Sequence, residues 1–382
     1  MLTRRRVLRG ALPVAAVGVV AGGLGYRAIM AGREVAHAGD AIYVLSNTEA
    51  EVLALDPLTG ALAHRIETET PPTRIAFGAG EGRVFAADPG PRTLWTLDGR
   101  EGRVVAEEAL DLEPSLLATS PEGTVLALLD WGEGLLELRD GGRTRLSGFE
   151  GAHDLRFSED GARLFVSFID RPEIWSVDIA GGAVGHRIGL EGTTGLDHMI
   201  RTIDGRLGLG VTPAGVSDSV FPIDLEAGEA LAPLRVEAPI HRASTDAFGR
   251  YIFLPHLFDG VVEVMDVRQR EIVARPVFDG PVTSLAPGFL GASMIAVSAE
   301  SRSVVEMDLR DFSVISRLVL PGVPAGVAAH EETGRLFLPI PDADAVAMVE
   351  TRGAALAQKL LRLPGLAPVQ AFGAGALAFC HG

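Results

Sequence analysis

Short apolar runs rich in β-branched residues recur along the chain, and polar residues with Gly and Asp separate them. The clearest example is AHDLRFS, the turn EDGA, RLFVSFI, EIWSVD, the turn IAGG and AVGHRIGL, from Ala152 to Leu190. Such runs between turn residues predict β-strands, and no segment shows the sustained 3.6-residue period of a long helix. The stretch AALAQKLLRLPG, from Ala354 to Gly365, resembles a helix in composition. Its place in the pattern predicts a fourth strand instead.

Acidic residues mark a repeat of this pattern. Most of them follow a β-rich run and precede a turn, and five of the seven steps between them are 42 residues long. The marks are Asp56, Asp98, Asp140, Asp178, Asp224, Asp266, Asp308 and Glu350. A period near 42 is typical of four-stranded propeller blades. We therefore predict an all-β fold in which residues 39–382 form a single eight-bladed β-propeller.

Both ends of the chain are predicted to contribute to the first blade. AIYVLSN and EVLALD near the beginning correspond to a second and a third strand, whereas APVQAFG and ALAFCHG at the end correspond to a first and a second strand. The second strand is therefore represented twice, and the pattern leaves open which copy pairs. Closure by strands from both termini replaces an open sheet edge with ladder hydrogen bonds.

The first residues resemble a twin-arginine export signal. The segment TRRRVLR, from Thr3 to Arg9, precedes an uncharged stretch from Ala11 to Tyr26, and Ala36-His37-Ala38 offers small residues for cleavage. We predict a signal peptide over residues 1–38 and a periplasmic location. The uncharged stretch is short and rich in Gly and Ala, so no stable membrane span is expected after cleavage. An uncleaved amphipathic anchor is the alternative.

Charge and cysteine content narrow the choice of partners. The formal net charge of −16 becomes −21 once residues 1–38, with six Arg and one Glu, are removed. Such an acidic surface argues against nucleic acid and against anionic lipid as partners. The single cysteine, Cys380, excludes an intrachain disulfide. The sequence contains no CxxCH, so a covalently attached c-type haem is also excluded.

Histidines converge on one predicted opening of the channel. In a propeller the first strand of each blade lines the channel, and it begins on the face that carries the loop between strands two and three. Counting 25 residues back from the acidic marks places His153 and His241 at first-strand starts. Alignment of the Asp-Gly turn places Asp197-His198 there in blade five. His256 is predicted in the second loop of blade six, and His381 near the equivalent loop of blade one.

This grouping predicts a ligand site at the mouth. Neutral imidazole binds metals and haem iron, and arginine pairs with carboxylates through two parallel hydrogen bonds. The predicted cofactor-binding residues are His153, His198, His241, Arg201 and Arg242. The alternative is a zinc or copper site formed by His153, His198, His241, His256 and His381. Histidines at strand starts also serve as structural caps in a water-filled channel, and that interpretation stays open.

Other polar and aromatic residues are assigned mainly structural roles. The periodic carboxylates are expected to cap hairpin turns by accepting backbone N–H groups. His330 is expected to be structural, and Cys380 is either a soft metal ligand or a buried residue. The carboxylates near the mouth that could act as general bases are Asp130, Asp170 and Asp259. The tryptophans expected to pack between blades are Trp95, Trp131 and Trp175.

Two segments resemble known propeller families. AIYVLSNTEAEVLALDPLTGALAHRI and GRLFLPIPDADAVAMVE resemble the YVTN repeat. The segment from His153 to Ile179 resembles a blade of the haem d1 domain of cytochrome cd1 nitrite reductase, and of the related periplasmic propeller needed to make haem d1. Both of those propellers have eight blades. The resemblance implies that His153 serves a haem d1 site by motif, and that His198 and His241 do so by blade position.

The chain also departs from that family. It lacks the c-haem domain of the complete nitrite reductase, and Ile169-Asp170-Arg171 replaces the Arg-Asp-Gly that commonly follows the second strand. Three hypotheses follow. The first is a binding or assembly propeller, rather than a classical enzyme, that holds a haem d1-type tetrapyrrole. The second is a periplasmic metal-binding or delivery protein, and the third is a lactonase-like hydrolase. The expected partners are a small molecule or metal and a periplasmic protein.

Overall fold

The computed structural model describes residues 41–46, 49–77, 83–215, 219–330, 333–353 and 355–363, and the backbone of residues 369–373. These residues form eight antiparallel sheets arranged as the blades of a ring. The predicted all-β eight-bladed propeller is therefore confirmed. The signal-peptide prediction for residues 1–38 lies outside the described residues.

The first four blades follow the chain, except that blade one also takes its innermost strand from the C-terminal part. Blade one contains β1 (Ile42–Ser46), β2 (Glu51–Leu55), β3 (Leu62–Glu67) and β33 (Val369–Gly373). Blade two contains β4 (Arg74–Phe77), β5 (Arg83–Asp88), β6 (Thr93–Asp98) and β7 (Arg103–Ala109). Blade three contains β8 (Leu116–Thr119), β9 (Leu126–Asp130), β10 (Leu135–Arg139) and β11 (Thr144–Ser147). Blade four contains β12 (Ala152–Phe157), β13 (Arg163–Phe168), β14 (Glu173–Asp178) and β15 (Ala183–Gly189).

The other four blades repeat this order, with a divided outer strand in blade five. Blade five contains β16 (His198–Arg201), β17 (Leu207–Val211), β18 (Ser219–Asp224), β19 (Glu229–Ala230) and β20 (Leu234–Arg235). Blade six contains β21 (Ser244–Thr245), β22 (Tyr251–Pro255), β23 (Val262–Asp266) and β24 (Glu271–Ala274). Blade seven contains β25 (Ser284–Pro287), a 3-10 turn (Phe289–Gly291), β26 (Ser293–Ser298), β27 (Ser303–Asp308) and β28 (Val314–Val319). Blade eight contains β29 (Ala328–His330), β30 (Arg335–Ile340), a 3-10 turn (Pro341–Ala343), β31 (Ala345–Glu350) and β32 (Ala357–Arg362).

Burial explains why these runs form strands. The second and third strands are covered on both faces, so β9 and β22 are buried at every position. Fourth strands lie at the periphery of the blades. Every residue of β7, for example, is exposed or half-buried. The ambiguous stretch near the end of the chain forms β32, a fourth strand as predicted.

One apolar cluster fills each interface between neighbouring blades. Tyr43 of blade one packs in the cluster that contains Trp95 of blade two, and Phe165 of blade four packs with Phe221 of blade five. The same arrangement closes the ring, because Ile42 of blade one lies in a cluster with residues of blade eight. Each fully buried aliphatic or aromatic side chain contributes about 2 kcal/mol of transfer free energy.

The periodic aspartates cap hairpin turns, as predicted. The Oδ1 atom of Asp56 accepts the N–H groups of Leu58 and Thr59 at 3.0 and 2.7 Å. Asp224 accepts two N–H groups in the same way. The seven aspartates therefore stabilise turns between third and fourth strands, whereas the eighth mark, Glu350, pairs with Arg335 instead.

Blade one is assembled from both ends of the chain, as predicted. Strand β1 pairs with β2 on one side and with β33 on the other, where Val44 lies opposite Ala371. The N-terminal candidate, AIYVLSN, therefore occupies the second-strand position. The second candidate, ALAFCHG, lies outside the described residues.

Two truncated chains should distinguish the contribution of β33 to stability from that of the residues that follow it. A chain ending after Leu363 loses β33 and leaves β1 as an unpaired inner edge, so we expect a markedly lower melting temperature or an insoluble product. A chain ending after Gly373 keeps the β1–β33 ladder and should melt within a few degrees of the full chain. Thermal unfolding of both measures the difference, and equal melting temperatures would contradict closure by β33.

Candidate functional site

Equivalent backbone positions in six blades define the mouth of the channel. At each, a residue at the start of the first strand donates its N–H to a carbonyl at the end of the second strand, at 2.8 to 2.9 Å. These residues are Thr73, Ser115, Asp197, His241, Thr283 and Ala325. Counting back from the acidic marks thus located the mouth in most blades. In blade five the equivalent residue is Asp197, and His198 is the next one.

His153 lies in an irregularity of blade four. The ladder between β12 and β13 pairs Ala152 with Phe168 and Asp154 with Ser167, so His153 is the extra residue of a β-bulge. A bulge turns a side chain away from the regular alternation of the strand. The His153 ring stacks on Trp131, with centroids 5.7 Å apart and planes 22° apart. Its Nε2 lies 3.9 Å from Oδ1 of Asp197.

Asp197 and His198 form a strut across the blade interface. Nδ1 of the buried His198 lies 2.8 Å from Oδ2 of Asp197, and its Nε2 accepts the N–H of Ala243 at 3.1 Å. Because Nε2 accepts, the proton resides on Nδ1 and is donated to Asp197. Both ring nitrogens of His198 are thus engaged, whereas His153 Nε2 is beyond hydrogen-bond distance of Asp197. The predicted ligand His198 would have to give up its bond to Ala243 or its bond to Asp197 before it could bind iron or a metal.

Hydrogen bonding, burial and neighbouring charges shift two pKa values at the mouth. The hydrogen bond from His198 lowers the pKa of Asp197, burial opposes this, and His153 and Arg242 lower it further. Burial is the main cause that lowers the pKa of His241, and the charge of the neighbouring Arg242 lowers it further. The imidazole of His241 therefore stays neutral at a pH where a free histidine is protonated.

The two predicted arginines have different surroundings. Arg242 follows His241 and is close enough to Asp197 to affect its pKa. Arg201 instead donates from Nε to the carbonyl of Phe157 at 3.0 Å and pairs with Glu159. Phe157 ends the strand near whose start His153 lies. The structure therefore directs Arg201 toward the far end of the first strands and keeps only Arg242 near the histidines.

His256 joins a different group of side chains. It is buried, its Nδ1 lies 3.1 Å from Oδ1 of Asp259, and its Nε2 lies 4.0 Å from Oε1 of the buried Glu263. Glu263 in turn accepts Nε of Arg275 at 3.1 Å. Arg275 lines a cavity of about 420 Å³ at the interface of blades five and six, with Arg235, Val236 and Glu237.

The other candidates have structural partners or cannot be placed. Asp130, 2% exposed, accepts the N–H groups of Glu113 and Glu133, and so holds its loop. Nδ1 of His330 lies 3.1 Å from Oγ1 of Thr333, in line with its expected structural role. Asp170 lies 3.9 Å from Arg171 at the surface. His381 and Cys380 lie outside the described residues.

The described part of the chain contains neither a metal-binding cluster nor a membrane-spanning helix. No group of three or more His, Cys, Asp and Glu side chains there is arranged to hold a metal ion. Within the same residues, no helix has the length and apolar character needed to cross a membrane. The proposed zinc or copper site thus receives no support from these side chains.

The sequence pattern placed Asp197 at the mouth without a role, and it did not place Trp131 there. Trp95 and Trp175 are buried between blades as predicted, but Trp131 is 39% exposed, so its predicted packing between blades is wrong. Trp131 lies in the loop between β9 and β10, which the same count places on the mouth face. The period alone could therefore have located it, because that argument placed His256 in an equivalent loop.

Comparison with known proteins gives structural matches only. No protein-family model and no curated protein matches the chain. A solved structure of dihydro-heme d1 dehydrogenase NirN in complex with DHE matches with a TM-score of 0.70 and 20% identity, over 87% of this chain and 75% of that chain. Kuenenia stuttgartiensis hydrazine synthase matches with a TM-score of 0.54 and 15% identity, over 77% and 96% of the two chains. At these identities the likeness shows the propeller fold alone.

Replacement of Asp197 should change the acid stability of the propeller. Since the folded pKa of Asp197 is lowered, its contribution to stability is present above its unfolded pKa of about 4 and is lost as the pH falls through the folded value. The melting temperature of wild type should therefore exceed that of Asp197→Asn at pH 6, and the difference should shrink below about pH 4. Melting curves from pH 6 to pH 3 test this. A difference that stays constant over that range would contradict it.

Proposed function

We propose that the mouth of this propeller binds a haem d1-type tetrapyrrole, in its assembly or maturation rather than in catalytic turnover. The observation that carries the proposal is the placement of His153. His153 is the extra residue of a β-bulge, its side chain is 36% exposed, and Trp131 and Asp197 flank its imidazole. An imidazole that is oriented yet accessible meets the requirement for an axial ligand to haem iron.

The neighbouring residues fit the same ligand. His241 stays neutral to lower pH than a free histidine, and the neutral form is the one that binds iron. Arg242, beside it, is a suitable partner for a carboxylate of the tetrapyrrole. His198 supports the site indirectly, since its bonds to Asp197 and Ala243 join blades five and six beneath the mouth.

The structural neighbour supports this class of ligand. The name of dihydro-heme d1 dehydrogenase NirN states that it acts on dihydro-heme d1, and its structure was solved in complex with DHE. The shared eight-bladed scaffold makes a related ligand at this mouth a reasonable proposal. The metal-delivery and lactonase hypotheses have no comparable observation in their favour among the described side chains.

Binding can be tested by titration of the purified mature chain with haem d1, followed by absorption. We expect His153→Ala and His241→Ala to weaken binding by about tenfold or more, which corresponds to about 1.4 kcal/mol. The matched control is His186→Ala, an exposed histidine on the peripheral strand β15, which should bind as wild type does. Failure of the wild type to bind, or equal affinity of all four proteins, would refute the proposal.

Export forms part of the proposal and has its own test. Protein recovered from the periplasm should begin at Gly39, because cleavage is predicted after Ala38. Arg4→Lys combined with Arg5→Lys should leave the precursor in the cytoplasm, since the twin-arginine route reads that pair. Mass spectrometry of both fractions provides the measurement, and an intact N-terminus on the periplasmic protein would favour the uncleaved anchor.

A further inference from the structure

Trp131 differs from the other two tryptophans of the chain by its exposure. Trp95 is 0% exposed and Trp175 is 4% exposed, whereas Trp131 is 39% exposed. A large aromatic side chain normally gains stability by burial, so one kept open at a channel mouth is an informative exception. Its one identified ring contact is the stack on His153, the residue proposed above to bind the tetrapyrrole.

The loop that carries Trp131 is held in place by hydrogen bonds to the buried side chains of Asp130 and Ser115. Oδ2 of Asp130 accepts the N–H of Glu113 at 2.7 Å, and Oδ1 accepts the N–H of Glu133 at 3.0 Å. The N–H of Trp131 itself donates to Oγ of Ser115 at 3.3 Å. These bonds join the loop between β9 and β10 to the loop that precedes β8. The indole is therefore exposed but anchored at its backbone.

Trp131 and Asp197 limit the orientation of His153 from two sides. The indole forms an offset stack with the imidazole, with ring centroids 5.7 Å and planes 22° apart, and Oδ1 of Asp197 lies 3.9 Å from Nε2. The two flanking residues belong to blades three and five, while His153 belongs to blade four. Closure of the ring thus builds a clamp from three neighbouring blades.

The stack also bears on the kind of ligand that the mouth would take. If His153 were to hold the iron of a tetrapyrrole, Trp131 would lie beside the bound ring, because its indole stacks on that imidazole. An aromatic contact with a conjugated ring would then add to the binding that His153 supplies.

We propose that Trp131 is a positioning residue that fixes the rotation of the His153 imidazole and favours a flat conjugated macrocycle at the mouth. The proposal rests on the proposed function, because it assigns Trp131 a role at the same site. It predicts that the contribution of Trp131 to binding acts through His153 and requires an aromatic ring rather than apolar area alone.

The stack can be tested in the ligand-free protein. Subtraction of the emission of Trp131→Phe from that of wild type isolates the fluorescence of Trp131. In a His153→Ala background the same subtraction should show an indole that acrylamide quenches more readily, because one face is uncovered. Unchanged quenching would show that the rings do not stack in solution and would overturn the clamp.

The role in binding can be tested by a double-mutant cycle with haem d1. Trp131→Ala should weaken binding about tenfold in the wild-type background and have little effect in the His153→Ala background. Trp131→Phe should retain most of the affinity and the absorption spectrum of the complex. The control Val105→Ala removes an exposed apolar side chain from the peripheral strand β7 and should change neither.

The outcomes separate this inference from the function on which it rests. If wild type fails to bind haem d1, the proposed function fails and the role of Trp131 fails with it. If wild type binds but Trp131→Ala binds equally well, only the inference on Trp131 fails. An equal loss of affinity in both backgrounds would also overturn it, because Trp131 would then act independently of His153.

Discussion

The structure depends on the requirement that each four-stranded sheet bury both of its faces. One sheet cannot cover itself, so each needs a neighbour on either side, and only a closed ring gives every blade two neighbours. The apolar clusters meet this need, from Tyr43 and Trp95 between blades one and two to Ile42 and Phe337 between blades eight and one. The pairing of β1 with β33 then brings the two ends of the propeller into one sheet.

Regularity is relaxed on both sides of the central strands: register shifts occur between the third and fourth strands of five blades, and between the first and second strands of blade four. First strands contribute less to the clusters than the second and third strands, and β21 contains only two residues, Ser244 and Thr245. The bulge at His153 also lies in a first strand. Polar contacts replace apolar packing there: Asp154 accepts the N–H of Met199 at 3.0 Å across the interface of blades four and five. The first strands can therefore hold polar side chains in defined orientations.

The sequence predicted the scaffold well because burial on both faces of each sheet and the chemistry of the turns impose a periodic pattern of residue types. The aspartate marks, the blade order and the shared first blade were all readable from it, and so was the backbone position of His241. The direction in which a side chain points produces no such pattern in the sequence. The period could not show that Arg201 turns toward Phe157, that both nitrogens of His198 are engaged, or that the bulge moves His153 out of register.

Three histidines near one opening are therefore not equivalent, although the sequence presents them as a set. Hydrogen bonding decides what each can do: His198 uses one nitrogen as a donor and the other as an acceptor. For His241, burial and Arg242 favour the neutral ring, and the stacked His153 remains partly open to solvent. An imidazole that is already doubly bonded gains little from a ligand, because every new bond replaces an existing one. In the proposed function, His153 and His241 are therefore the residues that would bind the ligand, while the bonds of His198 to Asp197 and Ala243 hold the residues around it.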